Sequence, residues 1–141
     1  MSDRTPWSHD IDLDDRSASA SRARAFVRRR LEEHCLSPLG DDVQVVVSEL
    51  VTNAVRHART PVTVTLHAFD LTLLLEVQDG SAVRPARGAA PDVLATHGRG
   101  LHIVGILSRD WGTDALPDGG KSVWAEFGLP ERRIPGGRAT A

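Results

Sequence analysis

Glu49, Asn53 and His57 stand four residues apart in the stretch DDVQVVVSELVTNAVRHA, Asp41 to Ala58. In a helix this spacing sets a carboxylate, an amide and an imidazole in one polar stripe about two turns long. Such a stripe could hold a hard cation through oxygen, position a water or hydroxyl, and take up a proton. A solvated helix face has the same pattern, and the segment alone leaves both readings open. The helix itself is dictated by the other side of the segment. Val43, Val46, Val47, Leu50, Ala54 and Ala58 recur at three- and four-residue steps, the period of an apolar face packed on a core.

A second group of residues suited to chemistry lies in HGRGLHIVGIL, where Gly98 and Gly100 precede an apolar helix from about Leu101 to Leu107. Glycines there permit close backbone approach, and free N–H groups in a first helical turn form an anion site for which phosphate is the natural guest. Relief of a tight turn is the alternative reading of the same glycines. Both groups need a scaffold, and the rest of the chain supplies its elements. A first helix spans Arg16 to Cys35, with Asp14, Asp15 and Ser17 as cap candidates and Ala20, Ala23, Phe26, Val27, Leu31 and His34 at helical spacing. After SPLG, the acidic Asp41 and Asp42 fall in the first turn of the second helix, where negative charge suits the helix dipole.

Beyond Pro61 the period drops to two. Val62, Val64, Leu66 and Ala68 share one face of a strand; Leu71, Leu73, Leu75 and Val77 share one face of the next. The turn around Asp70 is too short for a crossover, so the two form an antiparallel hairpin ending in Asp79-Gly80-Ser81. Residues 82–96 lack a sustained period and read as a long loop of the kind that is usually functional. Trp111 to Leu116 and Ser122 to Leu129 form a second hairpin around Pro117-Asp118-Gly119-Gly120. Residues 1–15 read either as a short edge strand around His9 to Leu13 or as a loosely held arm, and the arm is the expectation taken here. A domain at 16–130 then follows, with a disordered tail at 131–141.

Composition bounds the function. One domain of 141 residues, 40% hydrophobic and 26% charged, is large enough to build a core. A net charge of −2 gives no global reason to expect nucleic acid or a membrane surface as partner. Arginine clusters at Arg22, Arg24, Arg28, Arg29 and Arg30, but sixteen of the seventeen basic residues are Arg, so a solvated helix face accounts for much of it. Cys35 is alone and cannot form an intrachain disulfide. Without a signal-peptide pattern or a bilayer-spanning apolar run, the expected setting is soluble and cytoplasmic.

Taken in order, SELVTNAVRHA, DGS and HGRGL resemble the N box and the two glycine boxes of the GHKL ATPase superfamily, the group of gyrase B, sensor histidine kinases and anti-sigma-factor serine kinases. The resemblance covers about Ala18 to Leu129. It is closest to the short RsbW-like and SpoIIAB-like anti-sigma regulators, and in particular to small actinobacterial ATP-binding proteins that carry ELVTNAVRHA, GRGL, WG and GKxVWAE. It implies an α+β fold, a two-layer sandwich of the Bergerat type with a mostly antiparallel sheet and about three helices on one face. ATP and Mg²⁺ are the implied cofactors. Glu49 would be the general base, Asn53 would ligate Mg²⁺ through its amide oxygen, and His57 would line the nucleotide pocket, although packing at the helix end suits His57 equally. Asp79 would accept a hydrogen bond from the adenine amino group, which guanine lacks at that position. Gly80 would let the backbone approach the base, residues 84–96 would be the lid, and Gly98, Arg99, Gly100 and Leu101 would wrap the phosphates. Ser122 would contact the base region through water. In one place the chain departs from the family form: Ser81 stands where Asp-x-Gly-x-Gly has its first glycine.

The implied function is that of an ATP-dependent serine/threonine kinase that phosphorylates a small STAS-type antagonist and sequesters a sigma factor. A nucleotide-dependent binding module that switches partners without phosphoryl transfer is the alternative. A sensor histidine kinase core is disfavoured, because His34, His57 and His102 all fall in helices assigned to the catalytic fold. Related regulators are often dimers, so a homodimer stays open.

Overall fold

A computed structural model describes residues 5–14, 17–58, 60–81 and 97–130, with the backbone alone at 57, 58 and 97–100. The elements follow in the order β1 (Trp7–Leu13), α1 (Ser19–Glu33), a 3-10 turn (Ser37–Leu39), α2 (Gly40–Ala58), β2 (Val62–Phe69), β3 (Thr72–Asp79), α3 (His97–Leu107), β4 (Asp110–Ala115) and β5 (Lys121–Gly128). Five strands form one sheet in the order β1-β2-β3-β5-β4, and every neighbouring pair is antiparallel. The fold is thus the α+β sandwich expected, with three α-helices packed on the sheet.

Alternation decides which face is covered. Val62, Val64, Leu66 and Ala68 of β2 are buried, as are Leu73, Leu75 and Val77 of β3 and Val123, Ala125 and Phe127 of β5. These residues pair across the ladder, Val64 with Val77 and Val77 with Val123, so one apolar face runs across three strands. Onto it α2 lays Val43, Val46, Val47, Leu50, Val51 and Ala54, each at most 5% exposed. α1 packs against α2 and β1, and α3 against α2 and β4. The central helix therefore has core on three sides, leaving little of its surface for anything but the polar stripe.

Several local expectations are corrected. The loosely held arm is, over Trp7–Leu13, an edge strand paired along its whole length with β2. Its outward residues Ser8, Asp10 and Asp12 are exposed and only Leu13 is fully buried, so the stretch looked like solvent-facing chain. The residue preceding α1 is Ala18, which makes no side-chain cap, rather than an Asp or Ser. Leu71 sits in the two-residue turn with Asp70, whose φ is +51°, and is 41% exposed instead of joining the buried row. α3 begins at His97, so Gly98 and Gly100 lie in its first turn rather than ahead of it. The long loop at 82–96 and the tail at 131–141 lie outside the described residues.

Leu75 and Leu71 give a direct contrast. Leu75→Ala, at a position with no exposure, should lower unfolding stability in urea by about 2–5 kcal/mol. Leu71→Ala should change it by less than about 0.5 kcal/mol; equal losses would mean that the sheet face is assigned the wrong way round.

Candidate functional site

The end of β3 carries a buried ion pair. Asp79 and Lys121 are partners in the β3–β5 register, and Lys121 Nζ lies 3.0 Å from Asp79 Oδ1 with side chains 5% and 0% exposed. The backbone N–H of Ser81 donates to the same Oδ1 at 2.8 Å, so this oxygen is held twice over. Asp79 Oδ2 is, among the described residues, the buried side-chain polar atom without a hydrogen-bond partner. An unsatisfied buried acceptor costs on the order of 1–3 kcal/mol, more on a charged group, so this oxygen is primed to accept from an incoming donor.

Two neighbours fix the loop around it. The N–H of Gly80 donates to Thr60 Oγ1 at 2.8 Å, and a Cβ on Gly80 would stand 3.1–3.3 Å from the Thr60 side chain. Gly120, opposite, has no room for any side chain, because a Cβ there would run into the carbonyl oxygen of Asp79. Thr60 follows α2 by two residues, so its bond to Gly80 ties the C-terminal end of that helix to the end of β3. Asn53 then lies about 8 Å and Glu49 about 14 Å back along the helix axis from Ala58, at 1.5 Å per residue. Both are half-buried, off the core face of α2.

The Thr60 bond joins Asp79 and Gly80 to the end of α2, while Asn53 and Glu49 lie progressively further back along that helix. His57 is in the last turns of α2 and Gly98, Arg99 and Gly100 are in the first turn of α3, with their side chains outside the described set. Leu101 is 6% exposed and packs in the core, so any part it takes in binding is played by its backbone. Ser122 is misplaced by the sequence reading. Its hydroxyl donates to Glu76 Oε2 at 3.1 Å, and it pairs with Gln78 in the register, which puts it on the sheet face away from the helices. Lys121, one residue earlier, takes the inward position instead. Sequence reasoning missed it, together with Thr60 and Gly120, although the inward residues Val123, Ala125 and Phe127 already set the parity that turns 121 inward.

A family model described as the histidine kinase-like ATPase domain matches residues 13–127, from the last residue of β1 to the penultimate residue of β5. The chain belongs to this family. Domains of this GHKL type bind ATP, usually with Mg²⁺, and the site fits that ligand where it is described. An acceptor oxygen with no partner suits the exocyclic amine of adenine, and a carbonyl in its place would repel it. No curated protein matches the chain. Among the described residues, no helix is long and apolar enough to cross a membrane.

The Asp79–Lys121 pair can be tested as a unit. Lys121→Met alone leaves a buried carboxylate without its counter-charge and should cost about 3–5 kcal/mol in denaturant unfolding. Adding Asp79→Asn to Lys121→Met should restore most of the loss. Additive destabilisation in the double variant would show that the two charges do not depend on each other.

Proposed function

We propose that the chain is an anti-sigma-type serine/threonine kinase, which transfers the γ-phosphoryl group of ATP to a small STAS-type antagonist and binds a sigma factor in the alternate state. The observation that supports this most is the pairing of Glu49 with Asn53. A carboxylate and an amide oxygen sit one turn apart, both half-buried, on a helix whose end is tied through Thr60 to the adenine-facing Asp79. In this reading Asn53 holds Mg²⁺, and the cation's role is to neutralise charge on the phosphates as the transferred group loosens. Glu49 takes the proton from the acceptor hydroxyl. Asp79 selects adenine, and the first turn of α3 offers backbone N–H groups to the phosphates through Gly98, Arg99 and Gly100. The described residues perform binding and positioning, which is most of what phosphoryl transfer requires.

A second reading has its own observation. Ser81 replaces the first glycine of the family form, and its backbone N–H turns back onto Asp79. That arrangement stiffens the loop beside the base, which favours a module that binds nucleotide to change partners without transferring phosphate. A homodimer belongs to the first reading and rests on the resemblance, whereas a cytoplasmic location rests on the sequence pattern.

Calorimetry with ATP, with and without Mg²⁺ and with GTP as control, separates the outcomes. Adenine-selective binding that Mg²⁺ strengthens is expected, and Asn53→Ala should remove the Mg²⁺ dependence while leaving metal-free binding nearly intact. Equal losses in both would reject Asn53 as the ligand. Glu49→Ala should keep ATP affinity and abolish transfer to an antagonist protein; transfer at the normal rate in this variant would remove Glu49 from the mechanism, and no transfer by the native chain would favour the binding module.

A further inference from the structure

Away from the ATP site, β1 meets the end of α1 through aromatic side chains. The Trp7 ring stacks on His34 with centroids 3.8 Å apart and planes 8° from parallel, and His9 Nε2 lies 2.9 Å from His34 Nε2. The neighbouring Glu33 adds a carboxylate, and one ligand atom from each of His9, Glu33 and His34 lies within 4.8 Å of the others. Both histidines are half-buried and Glu33 is exposed, so the cluster is walled by ring on one side and open to solvent on the other.

We infer that His9, His34 and Glu33 form a binding site for a first-row transition cation of the zinc class, joining the edge strand to the first helix. Imidazole is the ligand suited to such ions, and two imidazoles with one carboxylate and an open position is a donor set they accept. The imidazole pair fits with little movement, and the exposed Glu33 carboxylate, within 4.8 Å of both, turns in by rotation of its side chain. Two nitrogens each about 2.0–2.1 Å from a tetrahedral zinc stand roughly 3.3–3.4 Å apart, so the 2.9 Å pair has only to open by a few tenths of an ångström. Binding requires both rings as Nδ1–H tautomers, each presenting an Nε2 lone pair, in place of the present arrangement in which one ring donates to the other. The Trp7 stack already fixes the plane of the His34 ring, which reduces what must be ordered on binding. Glu33 is shared with Arg30 at 2.9 Å and Arg29 at 3.4 Å, exposed pairs of the kind a cation displaces at small cost. This site is separate from Mg²⁺ at Asn53 in donor type and in place, since nitrogen donors select against magnesium.

Calorimetry of the tag-free full chain with Zn²⁺ and no nucleotide tests the site. One ion per chain is expected, with His9→Gln and His34→Gln each weakening binding by about tenfold or more. His67→Gln, on the outer sheet face beside Glu76, should leave it unchanged. Cu²⁺ should quench fluorescence in the native chain and lose that part of the quenching in Trp7→Phe, a readout independent of folding stability. Circular dichroism of each variant shows whether it is folded. Failure of the native chain to bind Zn²⁺ at millimolar concentration, or undiminished binding in a folded His9→Gln/His34→Gln variant, would falsify the assignment and leave a histidine–histidine hydrogen bond only.

Discussion

Two opposite charges withdrawn from water, Asp79 and Lys121, sit where β3 and β5 begin to part, and the site end of the molecule depends on their being adjacent. The strands that carry them are not neighbours in sequence. α3, β4 and the segment before them intervene, so the pair forms only when the chain has returned to lay β5 beside β3. A carboxylate this deep is costly to bury without a counter-charge, and a partner that consumed both oxygens would leave neither open. Lys121 and the Ser81 N–H take one oxygen and leave the other. The buried carboxylate is thus left incompletely satisfied.

The rest of that end follows from close approach. Gly120 lets β5 come against the Asp79 carbonyl, and Gly80 lets the loop rest on Thr60. Thr60 in turn makes the end of α2 a fixed neighbour of the loop that follows β3. Val43, Val46, Val47 and Val51, none of them exposed, anchor the first two-thirds of the helix, so much of its polar stripe is carried on an element that packing makes rigid. The end of β3 and the polar stripe of the helix are therefore joined by covalent chain and one hydrogen bond.

Much of this was legible in the residues. Period-two alternation in 62–69 and 72–79 and the heptad-like valines of α2 gave the layers, because burial on one face leaves a regular imprint. The Asp-Gly at the end of β3 stood out for the same reason, as polar residues interrupting an apolar strand. Ser122 was misread by a single step along a strand, which is enough to send a side chain to the opposite face. The inward alternation of Val123, Ala125 and Phe127 would have corrected it. The edge strand at Trp7–Leu13 was harder to see, since only Leu13 is fully buried and His9 interrupts the apolar row of Trp7, Ile11 and Leu13. The contact of His9 with His34 left no local trace at all: the two are 25 residues apart and are joined by a strand folding back on a helix end.

Lys121 is the only lysine in the chain, every other basic side chain being arginine, and it is 4% exposed. The protein surface therefore offers side-chain guanidinium groups but, at this residue, no accessible side-chain amine. An acylating reagent reaches Nζ only in molecules whose β3–β5 end has opened, so when reclosing outruns the reaction, the labelling rate measures the free energy of that local opening. The chain thus carries a built-in kinetic reporter at the end of its β3–β5 ladder, read by mass against the amine at the chain terminus.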